Sequence, residues 1–197
     1  MTEKSTILCE AVFNEDKTQR YAWKRVWDSK KPELCIITLN PNSRNVFELD
    51  LTSMLVTNNA YRLKEYGGVN IVNLFSVLTD KLKASNIKGT DKHLSENIKY
   101  IKKICGNCKD IIIAWGKAGN INKNIKDREQ LVLNELKPFS NKLYTLVDYN
   151  GETGLHPLTP SVRKGWSLVP FKDTGAKQLW QQVIFVKEKP KVAYLIK

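Results

Sequence analysis

Four short clusters hold the side chains of this chain best suited to chemistry. They are Asn40-Pro41-Asn42-Ser43, Asn73-Leu74-Phe75-Ser76, Trp115-Gly116-Lys117-Ala118 and His156-Pro157-Leu158. Each is a small polar or glycine-containing group placed just after an apolar run. Together they offer asparagine amides, which are donor and acceptor at once, and an imidazole. The second histidine, His93, falls in the first turn of a helix and is expected to face solvent. No cluster reads as GxxxxGK[ST], GxGxxG after a strand, HExxH or GxSxG, so kinase, dinucleotide oxidoreductase, zincin and α/β-hydrolase chemistries lose support. No single cluster identifies a reaction; their order along the chain carries more information.

The elements that must position these clusters follow from hydrophobic periodicity. Ile7 to Phe13 and Arg20 to Trp27 read as a hairpin around the turn Asn14-Glu15-Asp16-Lys17. In its second strand Tyr21, Trp23, Arg25 and Trp27 share one face, and Ala22, Lys24 and Val26 the other. After Lys30-Lys31-Pro32 comes a buried strand, Leu34 to Leu39, ended by the turn at residues 40–43. A helix is expected from Asp50 to about Tyr66, its spaced face being Leu51, Met54, Leu55, Asn58, Tyr61, Arg62 and Glu65, stopped by Gly67-Gly68. A second strand (Val69 to Phe75), a helix from Thr90-Asp91 to about Cys105 with Leu94, Ile98, Ile101 and Ile104 as its stripe, and a third strand (Asp110 to Trp115) follow. Next come a charged helix (about Asn122 to Leu136), a fourth strand (Lys142 to Asp148) and a loop from Gly151 to Ser161. The tail, about 178–197, reads as a helix start with one further strand. Strands alternating with helices of about a dozen residues call for βαβ units, a parallel sheet and helices on both faces. A site then belongs at the carboxyl ends of the strands, where all four clusters fall.

Composition bounds the partners. The chain has 197 residues, 42% apolar, enough for one domain with its own core, and no repeat or linker divides it. No apolar stretch reaches a membrane-spanning length and no signal-peptide pattern opens the chain, so a cytoplasmic protein without membrane contact is expected. Thirty-two Lys and Arg against 20 Asp and Glu leave a formal charge of +12, which suits either an anionic partner, nucleic acid first, or a solubilising surface. Lys81, Lys83, Lys88, Lys117, Lys123, Arg163 and Lys164 lie near the clusters and suit phosphate contacts. Lys99, Lys102 and Lys103 read as a solvated helix face. Among the four cysteines, Cys35 sits in an apolar run and reads as a small buried hydrophobe. Cys105 and Cys108 form a CxxC that lacks a second pair or a nearby His pair, which favours a structural turn over zinc or redox chemistry. No metal, no cofactor and a monomer are expected.

Arg20-Tyr21 with Trp23 and Trp27, Leu39-Asn40-Pro41-Asn42-Ser43, Asn73-Leu74-Phe75, Ala114-Trp115-Gly116 and His156-Pro157-Leu158 resemble an uncharacterised bacterial and phage domain family marked by RY…W, LNPS, NLF, WG and HPL. LNPS is stretched here to LNPNS, and the usual Asp-Pro-Thr reads Asp50-Leu51-Thr52. More distantly, the same order resembles the uracil-DNA glycosylase superfamily. That resemblance implies a three-layer α/β/α sandwich with a short, mostly parallel sheet, preceded here by the hairpin at residues 1–30. It implies that Asn40 positions an attacking water, that Asn73 hydrogen-bonds a base, that His156 stabilises the departing base, and that Leu158 or Val162 wedges into a duplex. Pro41, Ser43, Phe47 and Phe75 join the substrate-facing set, with Phe47 or Phe75 stacking on the base. The acidic residue of the uracil-specific first motif is absent, and the loop after His156 reads Pro-Leu-Thr-Pro-Ser.

Hydrolysis of an N-glycosidic bond passes through an oxocarbenium-like sugar while negative charge grows on the leaving base. It needs a donor aimed at the base, a held water and a pocket for an extruded ring. The leading expectation is therefore a glycosylase-like domain acting on a modified or mismatched base in DNA. The alternatives are a domain of the same fold that binds nucleic acid or nucleotide without cleaving it, and a hydrolase of free nucleosides or nucleotides.

Overall fold

The structure, a computed structural model, describes residues 1–83, 87, 91–172 and 191–192. Eight strands form one sheet: β1 (Leu8–Phe13), β2 (Arg20–Val26), β3 (Glu33–Thr38), β4 (Gly68–Asn73), β5 (Asp110–Ile113), β6 (Leu143–Val147), β7 (Ser167–Pro170) and the two-residue β8 (Lys191–Val192). Their spatial order is β1-β2-β4-β3-β5-β6-β7-β8. The central strands β4, β3, β5 and β6 run parallel, while the hairpin on one edge and β7 and β8 on the other are antiparallel. The α-helices among the described residues are α1 (Leu51–Arg62), α2 (Leu94–Asn107) and α3 (Lys123–Leu136).

Alternation along the central strands builds two apolar clusters. Leu34, Ile36, Ile71 and Ile112 pack with Val56, Ala60 and Leu63 of the α1 region and with Leu155, Val162 and Trp166. Cys35, Ile37, Val72, Ile111 and Ile113 pack with Ile101 and Cys105 of α2 and with Ile125, Val132 and Leu136 of α3. This division follows from handedness. The step β3–α1–β4 moves one way along the sheet, whereas β4–α2–β5 and β5–α3–β6 move the other way, and right-handed crossovers then put α1 and the pair α2, α3 on opposite faces. The direction reverses between β3 and β5. In open α/β sheets such a reversal point, at the carboxyl ends of the strands, is where ligand crevices form.

Several sequence expectations need correction. Helix α1 is turned over: Leu51, Met54 and Tyr61 are exposed, and the buried face is Ser53, Val56, Asn59 and Ala60. Small residues let the helix axis approach the sheet, and Asn59 spends its amide on the carbonyls of Leu55 and Arg163. The helix also stops at Arg62, with Lys64 in the left-handed region at φ 62°, short of Gly67-Gly68. Gly67 serves close approach instead, since a Cβ there would run into the Asp28 carbonyl.

In β2 the pairing shifts between Val12 and Phe13, which face Ala22 and Arg20. The extra residue, Tyr21, bulges out of the alternation and stacks on Tyr100 of α2, with centroids 5.3 Å apart, while Trp23 enters the α1-side cluster. His93 is half-buried with Nδ1 3.2 Å from the Tyr21 hydroxyl, so it does not simply face solvent. Strand β7 lies where no strand is expected. The helix start expected in the tail lies outside the described residues, which resolve there only β8.

Candidate functional site

At the reversal point between β3 and β5 the loops after β3 and β4 bind one another. Asn40 donates its amide to the Thr79 carbonyl at 2.7 Å, and Thr79 donates its backbone N–H to Pro41 at 3.3 Å. Phe75 N–H reaches the Leu39 carbonyl at 3.0 Å. The loop after β3 is thereby tied to the loop after β4, and with Nδ2 held by Thr79, Oδ1 of Asn40 is left as the acceptor. Ser43 is buried, its hydroxyl holding the carbonyls of Asn45 and Glu48 at 3.0 Å each, so it shapes the 43–48 turn. Phe47 stands at the tip of that turn, 81% exposed.

His156 enters from the loop after β6. Its ring Nδ1 accepts the Leu158 backbone N–H at 3.1 Å, which leaves the proton of the neutral ring on Nε2. Burial lowers its pKa to about 4, with the Asp50 carboxylate opposing that shift. Gly116, at φ 83° directly after Trp115, lies against it: a Cβ at Gly116 would stand 3.3 Å from the His156 Cβ. The loop is pinned by the Arg163 guanidinium on the Leu158 carbonyl and by Asn59 on the Arg163 carbonyl.

Two residues outside the sequence-derived site set join this group. Asp50 caps α1, with Oδ1 accepting from Ser53 N–H at 2.7 Å and from the Ser53 hydroxyl at 2.9 Å. Arg20 is 2% exposed, and its one side-chain hydrogen bond among the described residues runs from Nη1 to the Ser43 carbonyl at 3.4 Å, leaving Nε buried without a partner. Burial lowers its pKa to about 10, against the attraction of Asp50. Asp50 thus acts electrostatically on both Arg20 and His156, yet forms no ion pair within 4 Å with either among the described residues. Both residues were available as letters of the motifs RY and Asp50-Leu51-Thr52, but as a strand residue and a helix cap they carry no chemical signature of their own.

Other expected site residues are placed differently. Asn73 is 1% exposed, donates its amide to Thr38 Oγ1 at 2.6 Å, and leaves its Oδ1 buried without a partner. Phe75 is fully buried in the cluster beneath α2 and α3 with the Arg128 guanidinium 4.8 Å from its ring centroid, so it offers no stacking surface. Val162 is buried against Trp166 and cannot act as a wedge, whereas Leu158 is half-buried. Lys81, Lys83, Lys123, Arg163 and Lys164 are exposed, while Lys117 is neutralised by Glu152. Lys88 lies outside the described residues. Cys35, Cys105 and Cys108 are buried free thiols, with Cys35 and Cys105 sulfurs 3.8 Å apart. Among the described residues no group of three or more His, Cys, Asp or Glu is placed to hold a metal ion, and no helix is long and apolar enough to cross a membrane.

The grouping sets a neutral imidazole donor and a buried cation in the field of one carboxylate, and the cation, Arg20, binds the loop after β3 that also carries the Asn40 amide oxygen. Such a set can polarise a carbonyl or leaving group and orient a water. No curated protein and no solved structure matches the chain. A family model matches residues 20–158, from the buried Arg20 to the Leu158 that fixes the His156 ring, and the chain belongs to that family, described as a protein of unknown function (DUF1643).

Proposed function

We propose that this chain is a glycosylase-like protein that hydrolyses the N-glycosidic bond of a modified or mismatched base in DNA. On this reading it is a three-layer relative of the uracil-DNA glycosylases. The observation that carries the proposal is His156, a neutral Nε2–H donor beside Asp50 at the carboxyl end of the sheet. As the C1′–N bond breaks, Nε2–H donates to the base oxygen on which negative charge grows. A water accepted by Asn40 Oδ1 attacks C1′, and its proton passes to the Asp50 carboxylate. The carboxylate meanwhile steadies the cationic sugar. A net charge of +12, with Lys81, Lys123 and Lys164 exposed, supplies phosphate contacts.

The test is incubation of the purified chain with oligonucleotides carrying uracil and a panel of modified or mismatched bases. Alkali-labile abasic sites are expected, and are expected to be lost in His156→Ala and Asn40→Ala. Activity unchanged in both variants overturns the site. The buried, engaged amide of Asn73 favours one second reading, a domain that binds nucleic acid without cleaving it. Salt-sensitive binding with no cleavage across the panel is the outcome that selects it. Hydrolysis of free nucleosides with negligible DNA binding selects a nucleoside hydrolase instead.

A further inference from the structure

The face of β5 turned toward α3 carries a pocket that the proposed chemistry does not use. Trp115, Glu129, Leu133 and Phe171, together with the backbone of Gly116 and Gly154, line a half-open cavity of about 170 Å³. An apolar cavity of about 150 Å³ takes a benzene-sized ring, so this space takes one heterocycle. Its walls are apolar except for Glu129. That carboxyl accepts the Gly119 backbone N–H, and burial raises its pKa above the ordinary carboxylate range. The carboxyl sits so close on Gly119 that a Cβ there would displace it. A half-buried carboxyl in apolar surroundings gains from a ligand that brings a ring or exocyclic N–H to it. Trp115 adds an indole to the wall, a surface on which a flat ring can stack.

The position of the pocket adds a second argument. Gly116 lines it and also abuts the Cβ of His156, the residue whose imidazole is assigned to the leaving base. We infer that this pocket binds a single nucleobase, its N–H edge on Glu129 and its ring against Trp115. The inference rests on the base-excision reading for the source of the base, which is the one released beside His156; binding of the free base does not depend on that reading.

The test is titration of the full chain with free adenine, cytosine, guanine, uracil and thymine, with benzene as a ring lacking the N–H edge, followed by NMR on the Trp115 indole N–H. At least one base is expected to give a saturable shift. Glu129→Gln, which keeps the size of the wall, is expected to weaken that base at least fivefold, and Leu133→Trp, which fills the space, to abolish it. Thermal melts confirm that each variant is folded; should Leu133→Trp not fold, Leu133→Phe replaces it. No saturable shift with any base, benzene binding as tightly as the best base, or equal affinity in the variants overturns the inference. Base binding lost on filling the pocket, without cleavage of any oligonucleotide, keeps the inference and rejects the glycosylase. Cleavage that persists while no base binds does the reverse.

Discussion

The backbone N–H of Leu158 points at Nδ1 of His156 across 3.1 Å, and a ring nitrogen that accepts such a bond carries no proton. Protonating His156 therefore breaks a hydrogen bond as well as charging a half-buried ring. The folded pKa is about 4 against an ordinary 6.5. Between these values the unfolded chain binds more protons than the folded one, so His156 makes stability fall as pH drops from about 6.5 to about 4 and contributes no slope below that. His156→Asn keeps an acceptor for Leu158 and does not titrate. Urea midpoints measured across pH 4 to 7 are expected to fall less steeply in the variant; parallel curves would refute this.

Asp50 has two separable roles, capping α1 and acting on His156. Asn caps as well as Asp, so Asp50→Asn is expected to keep stability, while Asp50→Ala loses about 1 kcal/mol. Because the Asp50 charge raises the His156 pKa, both variants are expected to move it further down. An NMR titration of the His156 ring proton reads this directly. An unmoved pKa in Asp50→Asn would separate the two residues.

Arg20 is buried with its Nε unpaired and no carboxylate within ion-pair distance among the described residues, a costly arrangement for folding alone. Arg20→Met is therefore expected to leave the thermal midpoint unchanged or higher, while oligonucleotide binding or cleavage falls at least tenfold. A midpoint several degrees lower with function retained would make the guanidinium a structural group held by Ser43 and Asp50.

Duplex binding is expected to weaken with salt, and each lysine that contacts a phosphate steepens the log–log slope by about 0.9. Lys81→Ala and Lys164→Ala are expected to flatten the slope. Lys117→Ala is expected to change it little, because Glu152 already neutralises that cation. Fluorescence anisotropy at several salt concentrations separates the three. A slope carried by Lys117 alone would move the DNA face.

The mixed α/β class, the four parallel strands and the placing of the polar clusters at strand ends were legible because apolar runs between turn residues report buried strands directly. Residues that depend on depth were not. Asn73 ends a strand and Phe75 follows it, just as Asn40 follows β3, but β4 lies between β2 and β3, so its end is covered while the end of β3 opens on the reversal point. Tyr21 escaped because a bulge breaks the period of 2, and β7 because four residues closed by Pro170 resemble a loop. Arg20 and Asp50 matter through burial and field, neither of which a letter pattern records.

Helix α1 gives the sharpest contrast between pattern and packing. Leu51, Met54, Leu55 and Tyr61 form the apolar stripe a sequence would bury, yet Leu51 is 51% and Met54 39% exposed while Ala60 is fully buried. The sheet beneath already presents Trp23, Ile36 and Ile71, and Trp166 closes the same cluster, so bulk is supplied from below and the helix contributes small residues. Adding bulk at Ala60 overfills a packed space, whereas removing apolar surface from Leu51 and Met54 changes little that folding buries. The double variant Leu51→Gln, Met54→Gln is expected to stay within about 0.5 kcal/mol per site of the parent, and Ala60→Leu to lose about 1–3 kcal/mol. Urea unfolding of the three proteins decides it. If the glutamine pair proves the more damaging, the stripe packs inward after all and the helix is rotated from the orientation described.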